Sequence, residues 1–124
     1  MERKLGQLTC GGDNAIIESK SQRKTIHSDY VPVENAHKDL IFNSIDIGTL
    51  SSKEFHSYDI PQVKGPYKEL LLDPNGNVIL TGHKDPNKIS YLMQMHPEYV
   101  PQPGENVNSV QLLINFLNLI KRKG

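Results

Sequence analysis

Met95-His96-Pro97-Glu98 sets an imidazole and a carboxylate two residues apart around a proline, directly after the apolar run Ile89 to Met95. That run has the length and the bounding residues of a buried strand over 89–95. Pro97 has no N–H for a sheet ladder, so the strand is expected to end at about His96. The carboxyl end of a strand is where open α/β sheets gather their sites. With a nucleophile nearby, His96 could take its proton while Glu98 fixes the imidazole tautomer and stabilises the imidazolium. With a metal, the pair could be two ligands of a larger set. The same tripeptide also serves as an ordinary polar pair closing a strand.

The other candidate groups are weaker on their own. His56-Ser57 could donate hydrogen bonds to a substrate from a strand end, or be a plain surface dipeptide. His83-Lys84 follows Gly82 and reads as a turn with solvated heads. His27 and His37 have no partner pattern and are expected to be exposed. The five histidines show no His-x-x-x-His spacing, so a zinc site built by this chain alone is not expected. Cys10, the one cysteine, excludes an internal disulfide.

The elements that must position these groups are legible in places. Ala15-Ile16-Ile17 fits a short strand or a first helical turn, and residues 25–39, with Pro32, read as a loop. Leu40 to Ile47 is apolar enough to be buried, as short helix or strand, and Gly48 breaks it. Glu54 to Ile60 reads as a short extended segment. Lys68 to Leu72 and Val78 to Thr81 read as a hairpin around Asp73-Pro74-Asn75-Gly76, where proline suits the second turn position and Asn-Gly tolerates positive φ. Val100 to Gly104 is a proline-stiffened loop. Ser109 or Asn108 is expected to cap a final helix. Val110, Leu113, Ile114, Leu117 and Ile120 share one face of it, with Leu112, Phe116 and Leu119 widening the stripe. Strands, a hairpin and a strand feeding a helix predict an α/β layered domain.

Composition narrows the classes. The 124 residues read as one domain over 1–124. Lys+Arg and Asp+Glu are both 14, so no basic surplus argues for nucleic acid and no acidic surplus for a solvating tail. Lys121-Arg122-Lys123 complements the dipole of a helix's last turn. No apolar stretch approaches a membrane span and no leader-like segment follows Met1, so no membrane partner and a cytoplasmic setting are expected.

Tyr91-Leu92-Met93-Gln94-Met95-His96-Pro97-Glu98 resembles the block that carries the catalytic His and Glu of class I glutamine amidotransferases. Phe55-His56-Ser57 is similar to the segment preceding it in that family, Asp73 to Ile79 to a turn between strands, and Asn115-Phe116-Leu117 to the closing helix. His27-Ser28 and Gly11-Gly12 have counterparts in the gamma-glutamyl hydrolase-like branch. The resemblance covers roughly 50–120 and, loosely, 10–50. It implies part of a flavodoxin-like three-layer fold with a β-hairpin and a C-terminal helix. It also implies attack of a cysteine on a glutamine or gamma-glutamyl amide, with His96 as base and then acid, Glu98 as its orienter, and His56 and Ser57 against the substrate. No cofactor is implied. The implied partners are that small molecule and a missing amino-terminal half or a synthase subunit.

Three departures matter. Leu92 replaces the family's usual Gly, and Tyr99 a common Ser. The third concerns the nucleophile, expected in a Gly-x-Cys-x-Gly elbow, whereas Cys10 lies in Leu8-Thr9-Cys10-Gly11-Gly12. In one register Cys10 is the nucleophile and the chain up to His27 is shortened. In the other, Gly11-Gly12 follows the elbow helix and the nucleophile precedes Met1; this is the favoured one, because it keeps a family-like path from the glycines to His27. Either way the nine residues before Cys10 cannot supply the front strands or an oxyanion hole, one donor of which is worth about 10²–10³ in rate. The chain is therefore expected to be a shortened domain whose activity is in doubt.

Overall fold

The computed structural model describes residues 7–10, 16–20, 26–27, 29–54, 58–63 and 65–123. Ten strands, three short 3-10 turns and one α-helix are found among them. The strands are β1 (Gln7–Cys10), β2 (Ile16–Lys20), β3 (Ile26–His27), β4 (Val31–Pro32), β5 (Ser52–Glu54), β6 (Tyr58–Val63), β7 (Tyr67–Leu72), β8 (Val78–His83), β9 (Ser90–Met93) and β10 (Met95–His96); the helix is α1 (Val110–Lys123). The α/β class expected from the sequence is found.

The main sheet has the order β1-β9-β8-β7-β4. The hairpin forms as the turn residues predict. Asp73 accepts from the Asn75 and Asn77 amides, its own N–H reaches Asn77 O at 2.8 Å, and Gly76 takes a positive φ of 85°. Strand β7 then pairs antiparallel with β8, and β8 with β9. On the far side β9 pairs in parallel with β1, setting Cys10 opposite Met93. Strands β2 and β6 form a separate antiparallel ribbon, and β10, β5 and β3 a small third sheet.

Three expectations need correction. The strand read over 89–95 is two strands in two sheets. The chain bends at Gln94, whose N–H goes to Ile79 O at 2.7 Å, so β9 stays in the main sheet while β10 leaves for β5. The segment read as a loop over 25–39 contains β3, β4 and a 3-10 turn at Ala36–Lys38; proline fits β4 because that strand is an edge among the described residues. Leu40 to Ile47 is neither strand nor α-helix but two 3-10 turns, Leu40–Phe42 and Ile47–Thr49. They are opened by Asp39 and Asp46, whose carboxylates accept from the Ile41 and Gly48 amides.

Helix α1 packs Leu112, Phe116 and Leu119 into the core with Ile41, Tyr91 and Met93, and Phe116 meets the Tyr91 ring edge-on at 6.3 Å. Asn115 is buried on the same side and donates to Ile41 O and Asn43 O, both at 2.7 Å. The inward face is thus Leu112-Asn115-Phe116-Leu119. Val110, Ile114 and Leu117 of the predicted stripe point outward. The expected side-chain cap is also absent. Ser109 is buried with no hydrogen bond to its hydroxyl among the described residues, and Asn108 turns to Ser51 N–H and Thr49 O instead.

Candidate functional site

The bend at Gln94 delivers His96 to the small sheet. Strand β10 lies antiparallel to β5 with His96 opposite Lys53, and β3 takes the other side of β5 with Ile26 opposite Lys53 and His27 opposite Ser52. Pro97 is buried and turns the chain so that Glu98 comes back on His96; Nδ1 and Glu98 Oε1 are 2.7 Å apart. A carboxylate only accepts, so Nδ1 carries the proton and Nε2 is the nitrogen left with a basic lone pair in the neutral ring. The imidazole is one quarter exposed and the carboxylate about half, so a reacting group can reach the pair from solvent.

A general base needs its nucleophile within hydrogen-bond reach. Parallel pairing of β1 with β9 brings the backbone of Cys10 to the carboxyl end of the strand that leads to His96. The glycines after Cys10 lie outside the described residues, as do His56 and Ser57, the expected substrate-binding pair.

Two clusters brace the site, and neither was expected. Tyr99, the departure from the family's Ser, donates to Glu105 Oε1 at 2.6 Å; Lys53 Nζ reaches Glu105 Oε2 at 2.5 Å and lies 4.9 Å from the centre of the Tyr99 ring; and Gln102 N–H adds a third donor to the carboxylate. Lys53 is the residue opposite His96, so this clamp ties the chain after Glu98 to the middle strand of the small sheet. The hydrogen bond from Lys53, then those from Tyr99 and Gln102, hold Glu105 down at a pKa of about 2, and the same carboxylate raises Lys53 and Tyr99. Only the aromatic in place of Ser at 99 signalled it.

The clamp has an acid signature. Glu105 has a folded pKa below its ordinary 4.5, so its contribution to stability is fully present above pH 4.5 and is lost as pH falls toward about 2. Glu105→Gln should be less stable than the parent at pH 6, and the gap between their urea midpoints should close by about pH 2. A gap that stays constant from pH 6 to 2 would sink the assignment.

Behind β5 lies a buried network. Glu54 and Ser52 are fully buried, and the Tyr30 hydroxyl donates to Glu54 Oε2 at 2.5 Å. That hydroxyl has one proton, so Ser52 is the donor in its contact with Tyr30. Burial first, and then the Glu54 charge, push the Tyr30 phenol far above its usual range.

A cleft of about 410 Å³ lies elsewhere, lined by Lys38, Lys68, His83, Tyr91 and Leu119 among others. It is at the amino end of β9, away from His96. His83 is half-buried there and accepts from Asp85 N–H at 2.9 Å, while Lys84 and His37 are exposed. Among the described residues no three His, Cys, Asp or Glu side chains come together to hold a metal ion, and no helix is long and apolar enough to cross a membrane.

No protein-family model and no curated protein matches the sequence. The fold does match solved structures. A Thermoplasma acidophilum protein described as one of the subunits of GMP synthase superposes with a TM-score of 0.61 at 17% identity, over 86% of this chain and 48% of its own. The chain therefore shares the fold of that structure over most of its own length and spans about half the length of that structure.

Proposed function

We propose that the chain is a glutamine amidotransferase-like domain segment in which His96 is the proton carrier and Glu98 its orienter. The observation that carries this reading is the 2.7 Å contact of His96 Nδ1 with Glu98, at the end of the chain path that leaves β9 beside β1. In the reaction a cysteine thiol gives its proton to His96 Nε2, and the thiolate adds to the carboxamide carbon of glutamine. Collapse breaks the C–N bond as His96 returns the proton to the leaving ammonia. Water then attacks the thioester with His96 again as base, releasing glutamate and the thiol. Either Cys10 or a cysteine from outside these 124 residues fills the nucleophile's role.

Glutamine is the first substrate to assay. The Thermoplasma match is described as part of a synthase, which lends nothing to the gamma-glutamyl hydrolase branch, so gamma-glutamyl amides come second. A glutamine-analogue electrophile should label the nucleophile, Cys10 in the chain alone or a cysteine of an added amino-terminal half, as read by mass spectrometry; glutamine should block the label, and His96→Ala should lower glutaminase turnover by about 10²–10⁴.

A second reading has its own support. The chain spans 48% of the matched structure, and among the described residues nothing pairs with β1 on its far side. A catalytically inactive remnant of the fold, or an interaction module, fits those facts. No label and no glutaminase activity, with or without an added amino-terminal half, would establish that reading over the first.

A further inference from the structure

His96 has a cation for a neighbour. Residues directly opposite in an antiparallel pair point to the same face with their Cβ atoms about 5 Å apart, and the residue opposite His96 is Lys53. Ser52 and Glu54, on either side of Lys53, turn the other way, to the Tyr30 hydroxyl. A lysine ammonium is a poor companion for a ring that must accept a proton, because a nearby cation disfavours the imidazolium.

The loop after Glu98 brings a compensating charge. The Tyr99 N–H closes on His96 O at 3.2 Å, which puts Pro97 and Glu98 in the middle of a turn and starts the loop beside His96. Its far end is fixed just before β5, where Asn108 N–H donates to Ser51 O at 2.9 Å and Ser51 N–H to Asn108 Oδ1 at 2.7 Å. Between these anchors Glu105 N–H reaches Gln102 O at 3.0 Å, and Gln102 N–H returns to the Glu105 carboxylate. That closed turn holds the carboxylate on the Lys53 ammonium, and the two side chains are only 13% and 19% exposed. Salt screens such a partly covered pair less than a free one. The charged and titratable groups that the described residues set around His96 are therefore Glu98 on its own turn, Lys53 on β5, and Tyr99 and Glu105 on the loop.

We propose that Lys53 and Glu105 are positioning residues for His96: the Lys53 ammonium fastens the loop over the site, and the Glu105 carboxylate cancels that charge at the imidazole, so the loop is held without loss of His96 basicity. The consequence for catalysis rests on the reading of His96 as the proton carrier. The effect on the ring does not, and it is measured without any turnover.

Nuclear magnetic resonance of the full chain with labelled histidine tests this, the His96→Gln variant identifying the His96 ring signal. Glu105→Gln leaves the Lys53 cation uncompensated and should lower the midpoint of the His96 titration by about half a pH unit. Lys53→Met leaves the anion instead and should raise it by a similar amount. The double variant Lys53→Met/Glu105→Gln should return it to within about 0.2 of the parent, and 0.5 M salt should shrink both single shifts. Tyr99→Phe takes one hydrogen bond from the clamp but no charge, so it should move the midpoint by less than about 0.2. Far-ultraviolet circular dichroism reports whether each variant is folded; the single substitutions push in opposite directions, so either one decides the sign if the other does not fold. Shifts of the same sign in both, no shift in either, a double variant that is not restored, or a Tyr99→Phe shift as large as that of Glu105→Gln overturns the proposal. Glu98→Gln separates the two readings. If it leaves the midpoint unmoved, the His96–Glu98 pair and the proposed function fall; if it lowers the midpoint while Glu105→Gln and Lys53→Met do nothing, only the role of Lys53 and Glu105 falls.

Discussion

Leu112→Ala should lower the unfolding free energy by about 2–5 kcal/mol, whereas Leu117→Ala should cost under about 0.5 kcal/mol. The two leucines are five residues apart on one helix with the same intrinsic propensity, so only their surroundings separate them. Leu112 is fully buried against the core that holds Phe116, Leu119 and Met93, and truncation there leaves a cavity that those neighbours only partly close. Leu117 loses little because nearly half of it faces solvent in the single chain. Urea titrations at a few micromolar or below, where any self-association is suppressed, measure both. Reversed costs would mean that α1 lies on the sheet with the other face inward, and equal costs would refute the assignment of Leu112 as the buried one.

Tyr30→Phe should cost about 2–3 kcal/mol. The substitution removes one oxygen and almost no volume, so cavity effects are small. What it removes is a charge-assisted hydrogen bond to Glu54 in a place from which water is excluded; bonds to charged acceptors are worth about 1.5–3 kcal/mol. Ser52 loses its acceptor in the same step. Because Tyr30 and Glu54 share one network, the double variant Tyr30→Phe/Glu54→Gln should show a coupling energy of about 1 kcal/mol or more. A cost below about 0.5 kcal/mol for Tyr30→Phe, or additive single effects, would refute this account. The network also bears on the site, since Ser52 and Glu54 begin and end the strand on which His96 is laid.

The elements readable in the sequence are those whose causes lie within a few residues. Asp73-Pro74-Asn75-Gly76 makes its turn from the side chain of Asp73 and the positive φ of Gly76, and the hairpin follows. His96 and Glu98 meet because one proline separates them. The helix after Ser109 is legible from a run without Gly or Pro whose apolar residues recur at helical spacing. Its inward face was not, because apolar residues lie on nearly every side of Val110 to Ile120, and a periodicity that fits two faces selects neither.

Tertiary structure decided the rest, for one physical reason: the deciding contacts join residues far apart in the chain. Whether the run from Ile89 to Met95 stays in one sheet depends on where β8 and β5 offer free edges, and the Gln94 N–H on Ile79 O splits it. The clamp of Lys53, Tyr99 and Glu105 and the network of Tyr30, Ser52 and Glu54 exist only once β5 is in place. By itself, then, the sequence determined a turn, a helix and a His–Glu pair. Packing decided which strand carries His96, what braces the pair, and that the backbone of Cys10 lies opposite Met93 on the strand beside β9.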